Sequence, residues 1–291
     1  MAKYCVSTDS GCDLPATFCE ERGIYAYRMK YTIGDETYTD QMNPEDSITF
    51  YNRMRKGDVP RTSQMTPQEF IDYWSTLYEK FKLPIVHIAM GSGISGTYSN
   101  AVIARDMFLE SHPDAKIFVV DSTLASIGYG MLSIWAADMR DAGATPEKCV
   151  EWLEKNKILI NTYYTCDDLK YLYRSGRVSR VGAAVGTVLN INPILNLDKE
   201  GHLIVQEKVR GRKKALRRIY DIIQERVVDP SNQTVYICHS DCNSEEVKTF
   251  SETLINRIAF KDSFISYISS TIGSHCGPGL IAAFFVGKAR F

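Results

Sequence analysis

The stretch from Ile85 to Ala101 constrains this chain more than any other. An apolar run, Ile85-Val86-His87-Ile88-Ala89-Met90, leads into Gly91-Ser92-Gly93-Ile94-Ser95-Gly96-Thr97, after which helical spacing begins. A strand that passes through glycines straight into a helix belongs to a βαβ unit, and such units imply a parallel sheet. Glycine lets backbone N–H groups approach a ligand closely. The first turn of the helix adds unpaired donors and the positive end of its dipole. The loop is suited to receive an anion.

Three readings of that loop stand side by side. Gly91, Gly93 and Gly96 fit the dinucleotide fingerprint G-x-G-x-x-G, and Asp121 closes the next apolar strand where a ribose-binding acid would sit. Against this, the hydroxyls of Ser92, Ser95 and Thr97 crowd a turn that needs only backbone in dinucleotide sites. A serine-hydrolase elbow would require glycine where Thr97 stands. The third reading is a tight βα turn with a capping serine and no ligand.

A length of 291 residues favours two domains over one. Strand and helix alternate up to residue 157. Beyond it strands come in pairs, as in Pro193–Leu197 and Leu203–Val209 about Lys199-Glu200-Gly201. The expected architecture is therefore α/β throughout, with a parallel-sheet βαβ domain over residues 1–157 and an α/β domain with a largely antiparallel sheet over 158–291. A formal charge of −1, from 34 basic and 35 acidic side chains, gives no global attraction to nucleic acid or to an anionic membrane. The eight cysteines show no C-x-x-C pair, and Cys238-His239 with Cys242 is the nearest approach to a metal spacing. No metal site is expected. Lys3, Asp9 and Asp13 argue against a leader or anchor, and no apolar run is long enough to span a membrane, so a cytoplasmic protein with reduced thiols is expected.

In chain order, Tyr4–Ser7 reads as a strand, with Asp13 capping a helix that starts near Pro15. Ile24–Tyr31 and Glu36–Thr39 form a strand pair about Gly34-Asp35, and Pro44–Lys56 is helical. Thr66-Pro67-Gln68-Glu69 is a capping box, and Phe70, Trp74, Leu77, Tyr78 and Phe81 follow at helical spacing as a core face. Ligands of open α/β sheets sit at the carboxyl ends of strands, so Asp9-Ser10, Ser92–Thr97 and Asp121-Ser122 should line one rim. His87 reads as a core residue. His275, between Gly273 and Gly277, reads as a turn residue able to donate to an anion. Two basic clusters remain, one of Arg174, Arg177 and Arg180, the other of Lys208, Arg210, Arg212, Lys213, Lys214, Arg217 and Arg218. They suit either a solvated face or docking of an acidic partner. Interleaved aromatics are missing, so no nucleic acid is expected.

Ser7-Thr8-Asp9-Ser10, Thr62-Ser63-Gln64, Ser92 to Tyr98, Asp121-Ser122, Arg174 to Arg177 and His275 to Gly279 occur together and in this order. In this the chain resembles, from end to end, the bacterial DegV family of fatty-acid-binding proteins. The resemblance implies a two-domain α/β carrier, not itself a catalyst, that holds one long-chain fatty acid such as palmitate in a tunnel between its domains and needs no cofactor. It places the carboxylate near Thr62 and Ser95, with Ser63, Ser92, Gly93, Gly96 and Thr97 nearby and His275 as a further donor. It also implies a partner fatty-acid kinase in some members. Here Met65 and Thr66-Pro67 stand where the family would bring proline closer to Thr-Ser-Gln, and Ile94 replaces a common leucine.

Overall fold

The computed structural model describes residues 3–178 and 191–290. The first part of the chain runs β1 (Cys5–Asp9), α1 (Ala16–Glu21), β2 (Ile24–Tyr27), β3 (Lys30–Ile33), β4 (Glu36–Thr39), α2 (Pro44–Arg55), β5 (Arg61–Thr62), α3 (Pro67–Phe81), β6 (Ile85–Ala89), α4 (Thr97–Ser111), β7 (Ile117–Asp121), α5 (Ile127–Asp141) and α6 (Pro146–Asn156). The second runs β8 (Ile160–Thr165), α7 (Lys170–Arg174), β9 (Ile191–Leu197), β10 (Leu203–Arg210), α8 (Arg212–Arg226), β11 (Thr234–His239), α9 (Ser244–Ile258), β12 (Asp262–Tyr267), α10 (Ser270–Cys276) and β13 (Ile281–Val286).

Strands β2, β1, β6 and β7 lie side by side in that order, all parallel, as the βαβ grammar requires. The second sheet has the order β10-β9-β8-β13-β11-β12 and is antiparallel except for β11–β12, which α9 joins as a crossover. A small antiparallel sheet, β4-β3-β5, stands apart from both. Every strand of the parallel and small sheets precedes residue 157, and every strand of the larger sheet follows it.

Three local expectations are corrected. The strand expected over Ile24–Tyr31 is two strands. Ser10 Oγ accepts from the Met29 amide at 3.1 Å, and the Met29 carbonyl accepts from Asp40 N at 2.9 Å, so the chain is pinned there and turns out of the parallel sheet. Asp13 does not cap α1. Its backbone is left-handed at φ 54°, Pro15 holds the cap position, and the Asp13 carboxylate is used elsewhere. The segment around His275 is not an open turn, because Gly273 to Cys276 close the helix α10. Gly273 is needed there for packing, since a Cβ would fall on the Tyr51 ring and within 3.0 Å of Phe50.

The capping box of α3 forms as expected, with Thr66 Oγ1 accepting from Glu69 N and the Glu69 carboxylate accepting from Thr66 N. Phe70, Trp74 and Leu77 are buried with Phe108 of α4 on the outer face of the parallel sheet. Helices α8 and α9 cover the outer face of the larger sheet through Ile219, Ile223, Phe250 and Leu254. Between the two sheets lies α5, with 11 of its 15 residues buried, as expected of a helix that is apolar on nearly every side. It approaches both walls through glycine. A Cβ on Gly128 would meet Phe284 of β13 at 3.2 Å, and one on Gly130 would lie 2.6 Å from the Cys12 carbonyl oxygen.

These contacts give opposite expectations for two similar substitutions. Glycine to alanine in a helix interior gains about 0.8–1 kcal/mol of propensity, whereas overpacking costs about 1–3 kcal/mol. Gly130→Ala presses on backbone and should lower stability by about 1–2 kcal/mol. Gly128→Ala meets a ring edge that can shift and should be within about 0.5 kcal/mol of wild type. Urea unfolding midpoints of the two variants check this.

Candidate functional site

A cavity of about 350 Å³ opens between the two larger sheets, beside α5 and α10. Most of its wall is apolar, with Met29, Met90 and Ile94 from the first half of the chain and Leu197, Leu203, Ile268, Leu280 and Phe284 from the second. The polar lining includes Thr62 and His275, brought together from opposite ends of the chain. Thr62 is held by β5, paired with Tyr31 of β3, and His275 by α10. Thr62 Oγ1 and His275 Nε2 lie 2.7 Å apart. Burial, reinforced by the positive charge of Arg177, pulls the His275 pKa down to about 4, so the imidazole is neutral near pH 7. If His275 Nε2–H donates to Thr62, the threonine proton is free for a ligand. If Thr62 donates, His275 Nδ1–H is free. Either way the pair keeps one unspent donor.

Ser95 and Thr97 also line the cavity. Ser95 Oγ lies 2.8 Å from Thr97 Oγ1 and accepts from the Thr97 amide at 3.2 Å, at the first turn of α4. Ser63 and Gln64 line the same space and are exposed. The remaining residues expected at the site do not reach the cavity wall. Ser92 is turned to Asp121, whose carboxylate accepts from Ser92 N at 3.0 Å and from Ser92 Oγ at 2.6 Å. Gly93 faces the turn between β9 and β10, where a Cβ would lie 2.8 Å from the Glu200 carbonyl oxygen. Gly96 is covered by the Gln64 side chain.

The dinucleotide reading fails on the same contacts. Its glycines should leave room for a pyrophosphate, yet the space beside Gly91 belongs to Thr123 and Leu124 backbone, and that beside Gly93 to Glu200 and Gly201. Asp121 is spent on Ser92 and on the Thr123 amide. The expected single rim is likewise corrected. Ser95 and Thr97 face the cavity, whereas Asp9 and Ser10 are buried in hydrogen bonds to Tyr129 and Met29.

Among the basic residues, Arg177 lines the cavity, is half-buried and forms no ion pair among the described residues. Its Nη1 donates to the Ser175 carbonyl oxygen at 2.6 Å, and burial lowers its pKa. Assigning it only to partner docking is therefore corrected. Arg212 is corrected too, since it is clamped by Glu246 through two contacts of 2.7 Å and by Asp167 at 2.9 Å. Arg218 is held by Glu207. Arg174 and Arg210 are exposed, together with Lys208, Lys213, Lys214 and Arg217, and Arg180 lies outside the described residues. His87 is only half satisfied. Its Nδ1 lies 2.9 Å from Ser7 Oγ, Nε2 has no partner among the described residues, and burial pulls its pKa down to about 3. One trio of possible metal donors, Asp198, Glu200 and His202, meets on the partly exposed β9–β10 turn, away from the cavity lining.

Sequence reasoning missed a group of three buried carboxyls, Asp9, Asp13 and Asp40, each without an ion pair among the described residues. Asp13 accepts from Ser126 Oγ and from Ser269 N at 2.8 Å, and its carbonyl accepts from Ser266 Oγ at 2.6 Å. Asp40 accepts from Thr271 Oγ1 at 3.1 Å. Two of the three therefore tie the first half of the chain to the start of α10. Burial pushes Asp9 up to about 6 and Asp13 up to about 7, and raises Asp40 as well. No periodicity marks such residues. Only their occurrence in short polar loops after strands distinguishes them in the sequence.

The fold and this cavity define a class, α/β proteins with an apolar chamber between a parallel and a mostly antiparallel sheet and hydroxyls at one side of it. The chain belongs to the DegV family, whose sequence model, described as "Uncharacterised protein, DegV family", matches residues 3–288. It is 37% identical to a DegV domain-containing protein of Clostridium perfringens over 100% of this chain and 99% of that one. Among solved structures it resembles a DegV lipid-binding protein of Thermotoga maritima, with TM-score 0.86, 28% identity and coverage of 99% of this chain and 100% of that one. It equally resembles DegV, a fatty acid binding protein of Bacillus subtilis, with TM-score 0.85, 29% identity and the same coverage.

The buried groups set a pH dependence of stability. Carboxyls raised above their ordinary value near 3.8 stabilise the fold when protonated, and that stability is lost as pH climbs toward their folded values. His87, His239 and His275 are lowered from 6.5, so their contribution is present above 6.5 and lost as pH falls toward 4. Below 6.5 the two sets oppose one another, and above it the carboxyls act alone. The melting temperature should fall from pH 6.5 to 8, and Asp13→Asn should flatten that limb. Thermal melts across this range check it, and an equal slope in Asp13→Asn would refute the assignment.

Proposed function

We propose that this protein binds one long-chain fatty acid in the interdomain cavity, with the carboxylate at Thr62, Ser95 and His275, and presents it to a partner kinase. The observation that carries the reading is the pairing of an apolar wall with a polar side where Thr62 and His275 meet at 2.7 Å beside Ser95 and Thr97. Relatives of the same fold described as lipid-binding and fatty acid binding support it. Hydroxyls and a neutral imidazole can hold a carboxylate without burying a tight ion pair. Arg177 adds positive charge on the same wall, partly exposed to water.

Magnitudes divide the roles. Burying about 15 methylenes at roughly 0.8 kcal/mol each gives a gross term near ~12 kcal/mol, while a hydrogen bond to a charged group nets about 1.5–3 kcal/mol. The tail supplies affinity and the head group supplies orientation. In this reading the protein is a cytoplasmic carrier, not a catalyst, and no helix among the described residues is long and apolar enough to cross a membrane.

Organic extraction of the purified protein followed by mass spectrometry should release a fatty acid in stoichiometric amount. Thr62→Ala and Ser95→Ala should each weaken binding by roughly tenfold to a hundredfold without unfolding the protein. Unchanged affinity in both would remove the head-group assignment.

The exposed Lys208, Arg210, Lys213, Lys214 and Arg217, with Arg174, supply the positive charge that would steer an acidic kinase. Reversing several of them to glutamate should slow association with the kinase and flatten its salt dependence, leaving fatty-acid affinity unchanged. Stopped-flow association at two ionic strengths reads this out, and identical rates would leave the cluster as a solvated face.

A further inference from the structure

At the β12 edge of the larger sheet, the crossover from β11 through α9 to β12 makes a crevice of its own. The two strands are parallel, and His239 and Tyr267, the last residue of each, are register partners. The carboxyl ends of parallel strands are where open α/β sheets take ligands. Two hollows adjoin them, of about 260 Å³ and about 160 Å³, and His239, Ile265 and Tyr267 line both. No residue of either hollow lines the cavity between the sheets.

His239 is 6% exposed, and its two nitrogens are in different positions. Cys242 N donates to Nδ1 at 3.4 Å, from a turn fixed by Arg55, which donates to the Asp241 carbonyl oxygen at 2.8 Å and pairs with the Asp241 carboxylate. A ring nitrogen that accepts carries no proton, so in the neutral imidazole the proton sits on Nε2. Burial pulls the His239 pKa down to about 4, which keeps the ring neutral near pH 7. Nε2 has no hydrogen-bond partner among the described residues, and unlike the Nε2 of His87 it is not sealed in the interior. The hydroxyls around it are spent, with Ser47 donating to the Asn43 carbonyl oxygen, Ser251 to Ser263 and Ser266 to the Asp13 carbonyl oxygen. A nearly buried ring therefore turns one unspent N–H donor toward open space.

The surroundings decide which acceptor suits that donor. A protonated Nε2 cannot ligate a metal ion. Burial, with Asp241, Cys242 and Glu45 nearby, raises the Tyr267 pKa, so the local field is negative and disfavours an anion. Lys248 and Glu252, both exposed on the wall of the larger hollow, cancel in charge. A neutral acceptor remains. The Tyr267 ring, 4.4 Å from the imidazole between centroids, and Ile265, 44% exposed, offer apolar surface to a flat ring. Each hollow is smaller than the roughly 300 Å³ at which pockets for drug-sized ligands begin, so the ligand is small. We propose that the hollows flanking His239 form a second binding site, separate from the fatty-acid cavity, for a small, neutral, planar molecule that presents a carbonyl oxygen to His239 Nε2, as an aromatic amide does. A site built to hydrogen-bond a ligand oxygen rejects the analogue that lacks it, because its own donor is then left unpaired.

The test is titration of the intact protein with nicotinamide and benzamide, followed by saturation-transfer NMR, beside 3-methylpyridine and toluene as the analogues without a carbonyl. At least one amide should bind saturably and roughly threefold to tenfold more tightly than its analogue, the gain of one neutral hydrogen bond. His239→Phe keeps a ring and removes the donor, so it should abolish that preference, whereas His239→Gln, which carries an amide N–H, should restore most of it. Tyr267→Ala removes a partly exposed ring and should weaken amide and analogue alike. Thermal melts verify that each variant is folded, and Tyr267→Ala keeps the test decisive where a change at the buried His239 unfolds the chain. The proposal is overturned if neither amide binds saturably, if neither binds more tightly than its analogue, or if amide affinity is the same in His239→Phe and Tyr267→Ala as in wild type. Because the two sites share no lining residue, these outcomes are independent of the fatty-acid reading.

Discussion

Helix α5 lies between two sheets with almost no face left for water, and the geometry of the whole protein depends on how closely it can approach them. Gly128 lets β13 close on one side, and Gly130 lets the Cys12 backbone close on the other. Where α5 fills the gap, the sheets share one continuous core that runs from Tyr4 and Val6 through Leu132 to Tyr164 and Phe284. Near its N-terminus, at Ala125 and Ser126, the filling stops and the cavity begins. The chamber is thus the unfilled end of a core shared by the two sheets, which accounts for its apolar wall.

The polar side of the chamber comes from two short elements that add little to either large sheet. β5 is a two-residue strand on the small sheet, and α10 is a seven-residue helix. Neither would hold its position alone. The Tyr51 hydroxyl donates to the Ile268 carbonyl oxygen at 2.8 Å, Arg55 pairs with Asp241, and Asp13 and Asp40 hold Ser269 and Thr271. The carboxyls carry a cost, because burial disfavours their charged form, and no cation pairs with them among the described residues. Such a set of contacts is strong in hydrogen bonds yet sensitive to protonation, and it lies beside the residues that line the cavity.

The β9–β10 turn explains why part of the glycine-rich loop in the Ile85–Ala101 region does not reach the cavity. It rests on Gly93, and Gly201 rests in turn on Thr123, while the Arg290 guanidinium bonds the Thr123 and Asp198 carbonyl oxygens. Half of the glycine-rich loop therefore serves to let neighbouring backbone, from Thr123 and from the β9–β10 turn, pack against it. The remainder, Ser95 and Thr97, is left for the cavity.

Periodicity and punctuation by themselves determined the parallel βαβ unit, the capping box of α3, the hairpin of β9 and β10, and the change of sheet type near residue 157. All of these follow from local preferences and from the repeat of apolar side chains, which a sequence displays directly. The family resemblance carried by the motifs also pointed to Thr62, Ser63, Ser92, Gly93, Ser95, Gly96, Thr97 and His275 as one set, of which Thr62, Ser63, Ser95, Thr97 and His275 line the cavity. Tertiary structure alone decided that Ser92, Gly93 and Gly96 face protein, that Arg177 lines the cavity while Arg212 is locked to Glu246, that Asp13 and Asp40 are tied to Ser269 and Thr271, and that the Tyr164 and Thr162 hydroxyls are left unpaired among the described residues. Each of these depends on which groups distant in the chain come within a few ångströms. A hydroxyl, a glycine or an arginine looks the same in the sequence whether its neighbour is a ligand, a backbone or a carboxylate.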